Sequence, residues 1–130
     1  MLLRNMTNRI SKDKMKFKKV ELEVATFKDG EYHVAYCPAL DFSAYGKTLR
    51  EAQKSFAESV VFFLEEMEES NRLNDYLLSL GWKLQRVPKA EYEPPTLSQP
   101  FMKRMLDKLM KHDDRISFST TQQKVAVPVS

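Results

Sequence analysis

Cysteine occurs once in the 130 residues, as Cys37, and histidine twice, as His33 and His112. One thiol cannot close an internal disulfide, and so few nitrogen and sulfur ligands argue against a structural zinc site, so a reducing, cytoplasmic setting is expected. Glycine is nearly as scarce, at three. That leaves no glycine-rich loop to cradle a phosphate, and the chain holds neither a GxSxG elbow nor an HExxH metal motif. No apolar run approaches the ~20 residues of a bilayer crossing, and the first residues lack a signal peptide's apolar centre and small-residue cleavage site. Neither membrane insertion nor secretion is expected, and nothing here calls for a cofactor, a small-molecule substrate or enzymatic activity.

What is present is a globular composition, 42% hydrophobic and 30% charged, of one domain's length. A chain of this size can bury about two-thirds of its surface on folding. Its net charge of +3 is unevenly spread. Residues 1–19 hold Arg4, Arg9, Lys12, Lys14, Lys16, Lys18 and Lys19 against Asp13 alone, a net of +6, which leaves −3 on the remaining 111. The leader reads as a solvated extension, with Arg4, Arg9, Lys12 and Lys14 as candidate phosphate contacts. Met6 and Met15 offer alternative translation starts, and a start at Met15 would remove most of it.

From Phe17 the hydrophobic pattern has a period of two. Val20, Leu22 and Val24 fall on one face, Glu21 and Glu23 on the other, as in a strand with one wet side. Lys28 to Glu31 supply a turn, and Tyr32, Val34 and Tyr36 resume the alternation until Cys37-Pro38 ends it. A third short strand is predicted over 42–45. Thr48 and Glu51 form a capping box at the head of a helix of ~20 residues with Leu49, Ala52, Phe56, Val60, Phe63 and Met67 as its apolar stripe. Glu65, Glu66, Glu68 and Glu69 crowd its far end, where they oppose the helix dipole and favour fraying or a cationic neighbour. A short helix over 72–80, closed by Gly81, precedes a fourth strand over 82–87 that Pro88 stops. The 92–95 segment, Tyr-Glu-Pro-Pro, reads as a stiff joint. Beyond it, residues 98–111 carry a Phe101, Met102, Met105, Leu106, Leu109 stripe, and Met102, Met105 and Met110 make this helix a candidate oligomerisation element. Two short β-like stretches, 116–119 and 125–129, are separated by polar residues 120–123. The order β-β-β-α-α-β predicts a two-layer α+β domain over residues 17–88 with helices on one face. A basic extension (1–16) precedes it; a linker (89–95) and a C-terminal helix with a β tail (96–130) follow.

The candidates for chemistry are few. Glu21, Glu23 and Asp41 invite comparison with a two-metal nuclease site. The two glutamates, however, lie on the face expected to meet water, with no further acid at a strand end to converge on them. His33 reads as a surface or edge residue, Cys37 as a strand-end residue without a histidine partner, and His112 as a cation at a helix C-terminus. No residue set for catalysis or metal binding emerges.

The run Tyr32-His-Val34-Ala-Tyr36-Cys-Pro38-Ala-Leu40, continuing through Ala44-Tyr45-Gly46-Lys-Thr48-Leu-Arg-Glu51-Ala52, resembles the HicB-like antitoxin family. Pro38, Leu40, Gly46, Thr48, Glu51 and Ala52 match a strand ending in residue-Pro, a hydrophobic anchor, then Gly-x-Thr-x-x-Glu-Ala opening the long helix. The resemblance covers about residues 17–88. It implies a partial ribonuclease H-like fold without catalytic acids, and a HicA-like toxin, a small RNA-cleaving protein, as partner. It also implies autoregulation through a C-terminal DNA-binding module, which residues 96–130 do not reproduce. The expectation is an antitoxin whose acidic body, including Glu65, Glu66, Glu68 and Glu69, masks a cationic toxin, with homo-oligomerisation. The alternative is a nucleic-acid-binding regulator without a toxin, acting through the basic leader.

Overall fold

The computed structural model describes residues 15–85, 91–95, 104 and 119–129. The basic residues Arg4, Arg9, Lys12 and Lys14 lie outside them, as does the predicted helix over 98–111 apart from Arg104, which is helical. The described chain is α+β: a four-stranded antiparallel sheet with a long helix across one face. β1 (Lys16–Asp29) and β2 (Tyr32–Cys37) form a hairpin. Gly30 takes φ 62° at the first central position of its two-residue turn, and Glu31 stays out of the positive region. This is the type II′ geometry whose twist matches the flanking strands. β3 (Phe42–Gly46) pairs with β2 on the far side.

Gly46 joins sheet to helix. A Cβ built on it would lie 2.4 Å from the Ala52 amide nitrogen and 2.6 Å from the Glu51 carbonyl carbon, so only glycine lets β3 end this close to the helix's first turn. That helix is α1 (Leu49–Glu69). Thr48 caps it, its hydroxyl accepting from the Glu51 amide at 3.1 Å. The Glu51 carboxylate reaches past the expected cap amide and accepts from Lys47 N–H at 2.9 Å. The reciprocal bond of the predicted capping box is thus displaced one residue upstream. The buried stripe runs Ala52, Phe56, Val60, Leu64, Met67. Leu49 is exposed at the helix's first position, and Leu64 supplanted Phe63 as the fully buried residue because a 3.6-residue period carries the stripe there.

The acidic end of α1 is closed. Ser70 caps it, Asn71 takes φ 61°, Asn71 N–H donates to Glu68 C=O and Arg72 N–H to Met67 C=O at 2.8 Å. Those two bonds are a Schellman motif, and they replace the expected fraying with satisfied carbonyls. α2 (Leu73–Ser79) ends the same way: Gly81 is at φ 95°, with Gly81 N–H on Leu78 C=O and Trp82 N–H on Leu77 C=O.

The predicted fourth strand does not join the sheet. β4 (Lys83–Gln85) pairs instead with β5 (Glu91–Glu93) in a separate two-stranded ribbon, so part of the expected stiff joint is itself a strand. Trp82, 2% exposed and edge-on to Tyr92 at 6.4 Å, holds this ribbon to the core. The place beside β1 belongs to β6 (Ser119–Val129), antiparallel over eleven residues. The polar stretch 120–123 is therefore strand, not a break, because β1 is long enough to pair with all of it. The C-terminal strand thus belongs to the same sheet as the predicted domain. Pro128 sits opposite Phe17, where its missing N–H is directed to the outer edge of β6.

Leu22, Val24, Ala35, Cys37, Ala44, Val125 and Val127 turn toward α1 and form the core with its stripe. The opposite face is wet along the first half of β1, at exposed Glu21 and half-buried Glu23, and also at Gln122 and Lys124 of β6 and Tyr45 of β3. Farther along, Ala25, Phe27, Val34 and Tyr36 are buried there too. Phe42 stacks on Phe63 at 4.9 Å and meets Phe56 edge-on, and Phe63 meets Tyr76, so aromatic contacts run from sheet through α1 to α2.

Gly46→Ala should lower unfolding stability by about 1–3 kcal/mol in urea titrations, since the added methyl overlaps backbone that cannot yield. Gly30→Ala has open space around it and should lose only the left-handed-φ penalty of about 1 kcal/mol. Equal losses at the two positions would show that Gly46 is not a packing contact.

Candidate interaction surface

The residues of the sequence motif fall at the two ends of β3, with Pro38 and Leu40 before it and Gly46, Thr48, Glu51 and Ala52 after it. Pro38, Ala39 and Leu40 form a buried turn after β2, closed by Leu40 N–H on Cys37 C=O and Asp41 N–H on Pro38 C=O, with Asp41 at φ 48°. Its carbonyls are capped from other elements. The Trp82 indole donates to Ala39 C=O at 2.7 Å, and the Tyr76 hydroxyl donates to Leu40 C=O at 2.6 Å. The Tyr36 hydroxyl donates to Asp41 at 2.9 Å. Burial, together with that bond to a carboxylate, raises the Tyr36 pKa, and burial raises Tyr76 as well. Pro38, Leu40, Gly46, Thr48, Glu51 and Ala52 thus build the turn, the close approach and the helix cap. Each has a structural task.

The surface able to meet a partner is the outer face of α1. Phe62 is 67% exposed. At helical spacing its neighbours are Glu58, Glu65, Glu66 and Glu69, at i−4, i+3, i+4 and i+7. An aromatic ring is thereby set among four carboxylates on the last three turns of the helix, where the dipole adds negative potential. Glu68 departs from the predicted group. It falls on another side of the helix, and partial burial raises its pKa. Phe62 escaped the sequence reading. The signal was the adjacent pair Phe62-Phe63: on a helix of this period only one of two neighbours turns fully toward the core.

The remaining candidates do not form a site. Glu23 accepts from the Gln122 side chain at 3.3 Å, and Asp41 is engaged by Tyr36. Among the described residues no three His, Cys, Asp or Glu side chains gather as metal ligands would. Cys37 is fully buried and its thiol is pushed up to about 11 by desolvation, the reverse of an activated nucleophile. His33 sits in β2 opposite Gly46 and Lys28, and His112 lies outside the described residues. Among the described residues no helix is long and apolar enough to cross a membrane. No protein-family model matches the chain, and neither a curated protein nor a solved structure is detectably similar to it.

Trp82→Phe keeps most of the ring volume but leaves the buried Ala39 carbonyl without its donor, and should cost about 1–3 kcal/mol in denaturant unfolding. Alkaline pH should destabilise the fold. Cys37 titrates at about 11 in the folded chain against 9.0 free. Its contribution is complete below pH 9 and is lost as pH rises through 11, because the unfolded chain releases the proton first. The raised tyrosines act in the same direction. Melting temperature measured from pH 8 to 11 should fall, and Cys37→Ala should flatten part of that fall; a fall of equal depth in the variant would remove the thiol from the account.

Proposed function

We propose that this protein is a HicB-like antitoxin that binds and masks a small, basic, RNA-cleaving HicA-like toxin. The observation that carries this reading is the outer face of α1, where exposed Phe62 stands among Glu58, Glu65, Glu66 and Glu69. Carboxylates around an aromatic ring suit an RNA-binding surface on two counts. They mimic the phosphates that such a surface binds, speeding encounter, and the ring offers an anchor over which a guanidinium can stack. The motif residues support the same reading, since the six take up the turn, glycine contact and helix cap that the resemblance implies. On this reading the β3-β2-β1 meander with α1 is a partial ribonuclease H-like unit that presents α1 to the toxin.

Co-expression with the small protein encoded beside it should relieve growth arrest by that protein, and the two should co-purify. Phe62→Ala should weaken the complex at least about tenfold, as truncating an aromatic anchor does. Glu66→Lys with Glu69→Lys should slow association, with the deficit shrinking at high salt. A neighbouring protein that neither arrests growth nor binds would defeat the proposal.

A further inference from the structure

β1 is fourteen residues long, yet its two sides are unequally used. β6 pairs with it along Lys16–Thr26, whereas β2 pairs only from Ala25 to Asp29. Cys37-Pro38 then turns away, and no described strand lies beside residues 16–24 on that side. The direction of the backbone groups there follows from the hairpin. Asp29 and Tyr32 close a two-residue turn and so exchange hydrogen bonds, which directs the amides and carbonyls of Asp29, Phe27 and Ala25 toward β2. Alternation continues that direction through Glu23, Glu21, Lys19 and Phe17, onto the open side. A cleft of about 200 Å³ lies at this edge, lined by Glu21, Glu23, Ala39, Pro94 and Pro95 among others.

We propose that this edge is a homodimer interface, in which β1 pairs antiparallel with β1 of a second copy about a two-fold axis at Val20. The charge order selects the register. An axis at Val20 sets Lys19 directly opposite the second copy's Glu21, twice by symmetry, both on the face away from α1, and faces Val20 with its own copy on the α1 side. An axis at Lys19 sets Lys19 against itself, one at Glu21 sets Glu21 against itself, and one at Leu22 sets Glu21 against Glu23. Each of these three puts like charges opposite one another. Phe17, 39% exposed, falls opposite Glu23 in the favoured register and gains cover. The interface is independent of whatever the outer face of α1 binds.

Sedimentation of the full chain over a range of concentrations should show a dimer. Lys19→Glu and Glu21→Lys should each weaken it about tenfold, and the double exchange should restore it, because the pair is then reversed rather than broken. Glu21→Pro removes only an outward amide and leaves the β6 ladder intact, so it should abolish the dimer with the circular dichroism spectrum retained. Val20→Cys should form a disulfide-linked dimer on mild oxidation, and Glu23→Cys should not. A single-chain mass at every concentration would mean that the lysines guard the edge against pairing, and would overturn the proposal. So would a dimer indifferent to the charge exchanges, or a Val20→Cys protein that does not cross-link.

Discussion

The carbonyls of Ala39 and Leu40 sit in a turn that the fold has buried, and a buried acceptor without a donor costs about 1–3 kcal/mol. The donors come from Trp82 and Tyr76, so satisfying the turn fixes where α2 ends and where β4 begins. This explains why the chain after Gly81 does not return to the sheet. The Schellman turn at Gly81 directs Trp82 inward, its indole nitrogen is committed to Ala39, and the ribbon β4-β5 is laid against the core where Tyr92 meets the ring. The same turn ends β2's pairing with β1 and thereby creates the open stretch of β1. One polar requirement, imposed by burying the 38–40 turn, thus determines the placement of a helix, a ribbon and an edge.

The end of α1 shows how an electrostatic disadvantage is tolerated. Glu65, Glu66, Glu68 and Glu69 oppose the dipole at a helix C-terminus by a few tenths of a kcal/mol each. The Schellman bonds from Asn71 and Arg72, with the Ser70 hydroxyl on Glu66 C=O, satisfy the carbonyls that would otherwise let the turn unwind. Asn71 accepts a left-handed φ to do so. The helix is held rigid at the end where its local electrostatics are least favourable. Rigid presentation of charge at a cost to the helix is expected of a surface selected for contact rather than for stability.

The elements legible in the sequence were those with a local physical cause. The alternation of Val20, Leu22 and Val24 gave β1, Thr48 with Glu51 gave the helix start, and Gly81 gave the end of α2; all three hold in the structure. Nonlocal causes were not legible. That residues 82–85 leave the sheet depends on an indole bond to Ala39, forty-three residues earlier in the chain. That β6 fills the vacant place depends on β1 extending back to Lys16, which the lysine-rich composition there disguised. The motif residues were readable as a group, but their tasks proved structural, while Phe62 was hidden because two adjacent phenylalanines look equally apolar until the helix phase is known. Glu68 was grouped with its neighbours by sequence adjacency, although six steps of the helix turn it about 120° away from Phe62.

The two proposed binding surfaces fall on elements whose inner sides are already fixed by other contacts. α1 buries Ala52, Phe56, Val60, Leu64 and Met67 inward, so its outward residues vary without threatening the core. β1 is anchored through its even-numbered residues to β6 and through Leu22 and Val24 to α1, and among the described residues no strand pairs with the odd-numbered backbone of its first half. A long strand paired over most of its length on one side and over a shorter part on the other holds a row of amides and carbonyls in extended register. A strand added there would meet backbone already held extended by β6, so part of the ordering entropy that opposes association is met before the partner arrives. Such preorganised backbone makes charge order, here Lys19-Val20-Glu21, sufficient to choose among registers that hydrogen bonding alone would leave equivalent.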